Sequence, residues 1–271
     1  MIVFLFSLDA IAHAQTLKEY NAQGLIYLKE GRTTLAITEF SKAITQDHTN
    51  ADGYANRSLA YAQLGDLADA ISDSTQAIEI NPKDYAAYVN RAHCYAKKGY
   101  LSAAISDYNE AIAIDPRGAA AALYRDRGLT YLRNHDLSDA MADYSQAIAI
   151  NPKDGKAYYV RGAIYYQQDN FVQAVADFSH AIAIDHQDAK SYKNRGLTYL
   201  RENKSNEAIA DLTRSLELDH SYTRAYYNRA VAYYQLKQYD KAWADVHKAQ
   251  EAGEKVDPDF MAALKQASGK K

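Results

Sequence analysis

Residues 85–118, YAAYVNRAHCYAKKGYLSAAISDYNEAIAIDPRG, and residues 189–222, AKSYKNRGLTYLRENKSNEAIADLTRSLELDHSY, share one 34-residue spacing. Tyr88 answers to Tyr192, Tyr95 to Tyr199, Ala104 to Ala208, Arg91 to Arg195 and Asp107 to Asp211. Working outward, the first tyrosine slot continues at Tyr20, Tyr54, Tyr124, Tyr158 and Tyr226, the second at Tyr27, Tyr61, Tyr131, Tyr165 and Tyr233. The alanine slot continues at Ala36, Ala70, Ala140, Ala174 and Ala242. Three complete series define seven repeats: 17–50, 51–84, 85–118, 121–154, 155–188, 189–222 and 223–256, with Ala119 and Ala120 inserted between the third and fourth. A fixed period in this range marks a repeat architecture, in which each piece buries its apolar face only against its neighbours.

Each repeat reads as two helices. Tyrosines at positions 4 and 11, with a small residue at position 8 (Gly24, Ser58, Ala92, Gly128, Gly162, Gly196, Ala230), share one face of a first helix. This spacing predicts the tyrosines as a core stripe. A turn follows, carried by Gly31, Gly65 and Gly99 in the early repeats. A second helix carries Ala at positions 20 and 27 and usually an aromatic or aliphatic residue at 24, and Pro82, Pro116 and Pro152 stop it at position 32. His48, His186 and His220 fill that slot elsewhere, and Glu254 fills it in the last repeat. Ser74 and Ser215 depart from the expected core residues. Asp257-Pro258 opens a further helix that caps the array before a short basic tail, 257–271 in all.

Two charged series run beside the packing slots. Arg57, Arg91, Arg127, Arg161, Arg195 and Arg229 stand at position 7; Asp73, Asp107, Asp143, Asp177, Asp211 and Asp245 stand at position 23. The first repeat breaks both series together, with Gln23 and Glu39. The matched loss predicts that the two positions meet in a structural arginine–aspartate ladder of bidentate pairs.

Composition narrows the function. Net charge is −3, which gives no basic field for coating nucleic acid. The single cysteine, Cys94, supports neither a disulfide nor a zinc cluster, and the histidines lack metal-ligand spacing. Neither a phosphate-binding glycine loop nor a Gly-x-Ser-x-Gly turn occurs, so the expectation is a non-catalytic protein without metal or cofactor. At the N-terminus, Ile2 to Leu8 is apolar and Ala12-His13-Ala14 has the form of a cleavage site, so residues 1–14 read as an export signal or an apolar N-terminal segment. Cleavage implies a periplasmic or secreted protein; without it the chain is cytoplasmic. The apolar run is too short to span a membrane.

The tyrosine, small-residue, alanine and proline slots over 17–256 resemble the tetratricopeptide repeat. The resemblance implies an all-α, right-handed superhelical solenoid of seven helix-turn-helix repeats plus the capping helix. It also implies a scaffold or adaptor that holds another protein or peptide in a concave groove, lined by positions 2, 5, 9, 12 and 13 of each first helix. On this chain those positions are mixed and neutral in the first three repeats. The fourth repeat then supplies Arg125 and Arg133, the fifth Lys156, Tyr159 and Tyr166, the sixth Lys190, Lys193 and Arg201, and the seventh Arg224, Tyr227 and Tyr234. A basic, aromatic lining predicts an extended acidic segment as ligand. The alternatives are a single-stranded nucleic-acid binder and an accessory subunit of an enzyme complex, and a homo-oligomer is compatible with either. Cochaperones of the family grip a C-terminal carboxylate with a Lys and Asn, an Asn, and a Lys and Arg in three successive repeats. Asn56 matches the middle asparagine, whereas Asn21, Leu25, Ala86 and Asn90 do not match the flanking residues, so that clamp is absent.

Overall fold

Small residues at positions 8, 20 and 27 decide how closely the helices approach. In the computed structural model, which describes residues 2–116 and 121–269 with side chains from residue 16 onward, these positions are buried in every repeat whose side chains are described. Ala119-Ala120 and the last two residues of the basic tail lie outside the described residues. Fifteen helices and no strand occur among the described residues.

The helices group into two compact lobes, Met1–Asp143 and Tyr144–Lys271. The N-terminal lobe runs through α1 (Ile2–Lys29), α2 (Thr33–Gln46), α3 (Ala51–Leu64), α4 (Leu67–Ile80), α5 (Tyr85–Lys98), α6 (Leu101–Ile114) and α7 (Ala121–Arg133). The lobe boundary falls within α8 (Leu137–Ile150). The C-terminal lobe continues with α9 (Gly155–Gln167), α10 (Phe171–Ile184), α11 (Ala189–Arg201), α12 (Ser205–Leu218), α13 (Thr223–Gln235), α14 (Tyr239–Glu251) and α15 (Pro258–Ser268). Within each lobe, a first helix packs on the second helix of its repeat, and that one packs on the next first helix. Helix α1 carries the backbone of residues 2–15 directly into the first repeat.

Side chains at positions 8 and 24 are matched in size. Phe178 and Leu212 stand over Gly162 and Gly196, where an added Cβ would lie 3.0 Å from Phe178 Cε1 and 2.9 Å from Leu212 Cγ. Such contacts force a neighbour to shift, so only glycine fits without repacking. In the second repeat both partners shrink to serine, and the Ser58 hydroxyl meets both Ser74 (2.5 Å) and the Ala70 carbonyl (2.8 Å). Ser215 is likewise buried and donates to the Ala189 carbonyl at 2.8 Å. Both serines that depart from the core pattern are therefore satisfied inside it.

The tyrosine stripe differs from its expected place. Every tyrosine at positions 4 and 11 is half-buried, and the fully buried rings are Phe40, Tyr108, Tyr144 and Phe178 at position 24. Tyr20 and Tyr27 are half-buried too, although the first repeat has Gln23 at position 7, so the depth of the rings is set by the helix packing and not by the guanidinium that lies between them elsewhere. Its carbon lies 5.5–6.0 Å from both ring centres in repeats two to seven.

Turn chemistry explains the helix ends. Position 15 is left-handed in all seven repeats: Gly31, Gly65 and Gly99 occupy it early, His135, Asp169, Asn203 and Lys237 later. In the first six repeats the second helices stop with or without proline, because Asn or Asp at position 31 ends them; the seventh has Gly253 there. Asn81 and Asn151 accept from the amides of Lys83 and Lys153 (both 3.1 Å), and Asp47, Asp185 and Asp219 do the same before the histidine slots (2.8–2.9 Å). Asn50, Asp84, Asp154 and Asp188 at position 34 then cap the next first helix. Helix α15 has Asp257 as N-cap and Pro258 at its first position. It seals the last repeat with Leu264, buried against Ala230, Trp243 and Val246. The Trp243 indole donates to Ser268 Oγ at 3.0 Å.

Candidate functional site

The arginine and aspartate series are the most regular charged feature. In the N-terminal lobe Arg57, Arg91 and Arg127 each donate Nε and Nη2 to both oxygens of Asp73, Asp107 and Asp143, at 2.6–2.9 Å. In the C-terminal lobe Arg161, Arg195 and Arg229 pair in the same way with Asp177, Asp211 and Asp245, at 2.6–2.8 Å. Each remaining Nη1 reaches back to position 25 of the preceding repeat: Ser41, Thr75, Asn109, Ser145, Ser179 or Thr213, at 2.7–3.1 Å. The aspartates are buried and the arginine side chains expose less than a fifth of their surface. Hydrogen bonds to the carboxylates push the guanidinium pKa of Arg57, Arg91, Arg161 and Arg195 above its ordinary value. With all donors of this kind engaged internally, the series joins helices and leaves little charge for a ligand. In the first repeat Glu39 turns instead to Lys42, at 2.8 Å.

The groove residues separate into tethered and untethered groups. In the N-terminal lobe Arg125 is half-buried, and Arg133 donates to the Ala96 carbonyl at 2.7 Å. In the C-terminal lobe Arg201 pairs with Asp169 at 3.0 Å and lies 5.0 Å from the Phe171 ring and 5.9 Å from Tyr166. Arg224 is 3.8 Å from Glu254. Tyr227 and Tyr234 face Phe260 of α15 at centroid distances of 5.5 and 5.6 Å, so the cap takes up part of the aromatic lining expected for a ligand. Lys156 and Lys190 are exposed.

Lys193 stands apart. Its ammonium is half-buried and lies 4.8 Å from the centre of the Tyr222 ring, with no carboxylate within ion-pairing distance among the described residues. Burial first, and Lys190 second, lower its pKa. Next to it, Asn194 donates to the Tyr159 hydroxyl at 3.0 Å. Burial raises the Tyr159 pKa, so its hydroxyl stays neutral. Lys190, Lys193, Tyr159, Asn194 and Tyr222 thus form one aromatic patch with two lysines, and the Asp188 carboxylate is near enough to act on both tyrosines.

Sequence reasoning missed Asn194, Tyr222, Asp169, Glu254 and Phe260. Asp169 and Glu254 come from the turns at positions 15 and 32, outside the five lining positions, so the groove is less uniformly basic than those positions alone indicate. Tyr222 occupies position 34, where most repeats carry a capping Asn or Asp, and that departure was its one visible signal.

The repeat models agree with this geometry. Models described as TPR repeat or tetratricopeptide repeat match residues 24–65, 56–119, 128–169, 155–188, 189–222 and 223–252. The chain belongs to the tetratricopeptide repeat family. Membership gives it the architecture of a protein-interaction scaffold. No curated protein matches it significantly. Among solved structures, PilF of Pseudomonas aeruginosa is similar at 16% identity and TM-score 0.68, covering 77% of this chain and 94% of that one. A tetratricopeptide repeat protein from Parabacteroides merdae is 20% identical with TM-score 0.62, covering 93% and 98%. YrrB, described as a TPR protein with an unusual peptide-binding site, is 19% identical with TM-score 0.62, covering 69% and 95%. At these identities the likeness concerns the fold alone. No helix among the described residues is long and apolar enough to cross a membrane.

Proposed function

We propose that this tetratricopeptide repeat protein is a non-catalytic scaffold whose C-terminal lobe holds an extended acidic segment of a partner protein. One observation carries the reading: Lys193 keeps a half-buried ammonium against Tyr222 with no carboxylate in ion-pairing distance among the described residues, while Arg201 and Arg224 each have one. A half-buried cation is costly unless a partner compensates it. A ligand carboxylate supplies that partner, Lys190 adds long-range attraction, and Tyr159 and Tyr222 offer flat contact area at small entropic cost. The paired cations, Arg201 and Arg224, fix the walls and contribute less attraction.

Binding of a blocked, fluorescein-labelled peptide of alternating Glu and Gly tests this by anisotropy, with a Lys-Gly peptide and a random oligonucleotide as controls. The expected result is saturable, salt-sensitive binding of the acidic peptide alone, lost in Lys193→Glu with unchanged helicity. Equal affinity of wild type and Lys193→Glu would remove the patch from the function, and preference for the oligonucleotide would favour the nucleic-acid alternative.

A further inference from the structure

The N-terminal lobe has a cleft of its own, about 400 Å³ in volume, between α3, α5 and α7. Its origin is a single slot. Position 12 is Ala62 in α3 and Ala96 in α5, whereas α9, α11 and α13 carry Tyr166, Leu200 and Tyr234 there. In the C-terminal lobe, the comparable space beside Tyr166, Phe178 and Leu197 shrinks to about 80 Å³. Two leucines face the N-terminal cleft with nothing over them: Leu59 is 38% exposed and Leu129 is 51% exposed. The buried Tyr108 ring completes the floor. His93 meets that ring edge-on at 5.6 Å, and its Nε2 hydrogen-bonds Asp126 Oδ2 at 3.0 Å, joining α5 to α7.

Charge at the rim is two cations against one carboxylate. That carboxylate, Asp126, hydrogen-bonds His93. Lys97 is exposed at the rim, and Arg133 is held there through the Ala96 carbonyl, neither with a carboxylate partner among the described residues. A volume of this size, apolar below and cationic at its edge, matches sites that bury a side chain and orient it by a few polar contacts. With neither cation ion-paired among the described residues, the net positive rim favours a ligand of negative charge.

We propose that this cleft is a second docking site, which takes a bulky apolar side chain (Leu, Met or Phe) of a partner protein's extended segment and the carboxylate of an adjacent Asp or Glu. The apolar side chain covers Leu59 and Leu129, and the carboxylate meets Lys97 and Arg133. The site is independent of the Lys193 patch, since every lining residue belongs to the N-terminal lobe.

The full chain is used to select from a library of random seven-residue peptides, in parallel with Ala96→Tyr, Lys97→Glu/Arg133→Glu and Lys193→Glu. Ala96→Tyr installs the side chain that the fifth and seventh repeats already carry in this slot, and melting curves verify that each variant is folded. The charge-reversed double variant changes only exposed side chains, so it tests the site even if Ala96→Tyr unfolds. Wild type and Lys193→Glu are expected to enrich a large apolar residue next to Asp or Glu. The other two variants lose that enrichment and bind the resulting consensus peptide at least about tenfold more weakly, about 1.4 kcal/mol. The proposal is overturned if wild type enriches no such pair, or if Lys97→Glu/Arg133→Glu retains it. It is equally overturned if Lys193→Glu alone abolishes it, which would assign the peptide to the C-terminal lobe.

Discussion

The two lobes are built from one repeat and differ at position 12, which is alanine only in α3 and α5 of the N-terminal lobe. Alanine there opens the N-terminal cleft; tyrosine or leucine closes its counterpart in the C-terminal lobe and leaves an aromatic patch centred on Lys193. They differ also at the turn: in the N-terminal lobe glycine carries the left-handed residue in three repeats and His135 in the fourth, whereas side-chain-bearing residues carry it at every such turn of the C-terminal lobe. What they share is the arginine–aspartate pairing, identical in geometry on both sides. A repeat protein can thus hold its frame constant and vary its surface slot by slot.

The largest expected effect tests the shared part. Arg161→Ala strands Asp177 in the core and should cost about 3–5 kcal/mol of stability, and Arg91→Ala should cost the same in the other lobe. Denaturant melts of both variants measure it. A loss in one lobe only would mean that the frame is not common to the two.

Next comes the difference in binding surfaces. Lys193→Glu should weaken acidic-peptide binding at least about tenfold, about 1.4 kcal/mol, while Ala96→Tyr leaves that binding unchanged. Titrations of the acidic peptide into each variant decide this, and a shared loss would dissolve the distinction between the lobes.

The turn difference should be worth less. Lys237 and His135 adopt φ of 58° and 66°, a conformation that disfavours a Cβ. Lys237→Gly is expected to gain about 1 kcal/mol or less, and Gly99→Lys to lose a similar amount. A lowered melting temperature for Lys237→Gly would show that its lysine contributes something the left-handed turn conceals.

Smallest is the effect of removing the unpaired charge. Lys193 has its pKa lowered in the folded state, so its contribution to stability is present above the ordinary value of 10.5 and is lost as pH falls through the depressed one. Lys193→Met should therefore melt slightly higher than wild type at pH 7, by less than about 1 kcal/mol. The gain should fade as pH rises past the lysine range. A constant difference across pH would assign the gain to apolar contact instead of relief of charge.

Much of the frame was legible because a 34-residue period exposes each slot seven times. The pairing positions showed themselves by failing together at Gln23 and Glu39. The half-buried state of the tyrosines was not legible, since the i, i+4, i+7 spacing gives a shared face but not how deeply the neighbouring helices cover it. Nor were the acceptors at position 25. Ser41 or Thr213 on a helix reads as an ordinary solvated residue until the arginine of the next repeat is seen to reach it. For the ligand surfaces the lining cations were readable, whereas Asp169 and Glu254 enter from turns and the cleft is a volume left by alanine, which no single residue announces.

The backward reach of each arginine gives the array a direction. Ser41 is held by Arg57 and Ser179 by Arg195, so a repeat receives its last tether from its successor. Helix α15 does not repeat the gesture for the seventh repeat: it has Ala263 where the arginine would stand, and packs instead through a tryptophan–serine bond and a buried leucine. For a polypeptide emerging from the ribosome N-terminus first, each repeat stays provisional until the following one has been synthesised. A stalled or truncated chain would then carry its weakness in its newest completed repeat, while the older ones are already locked.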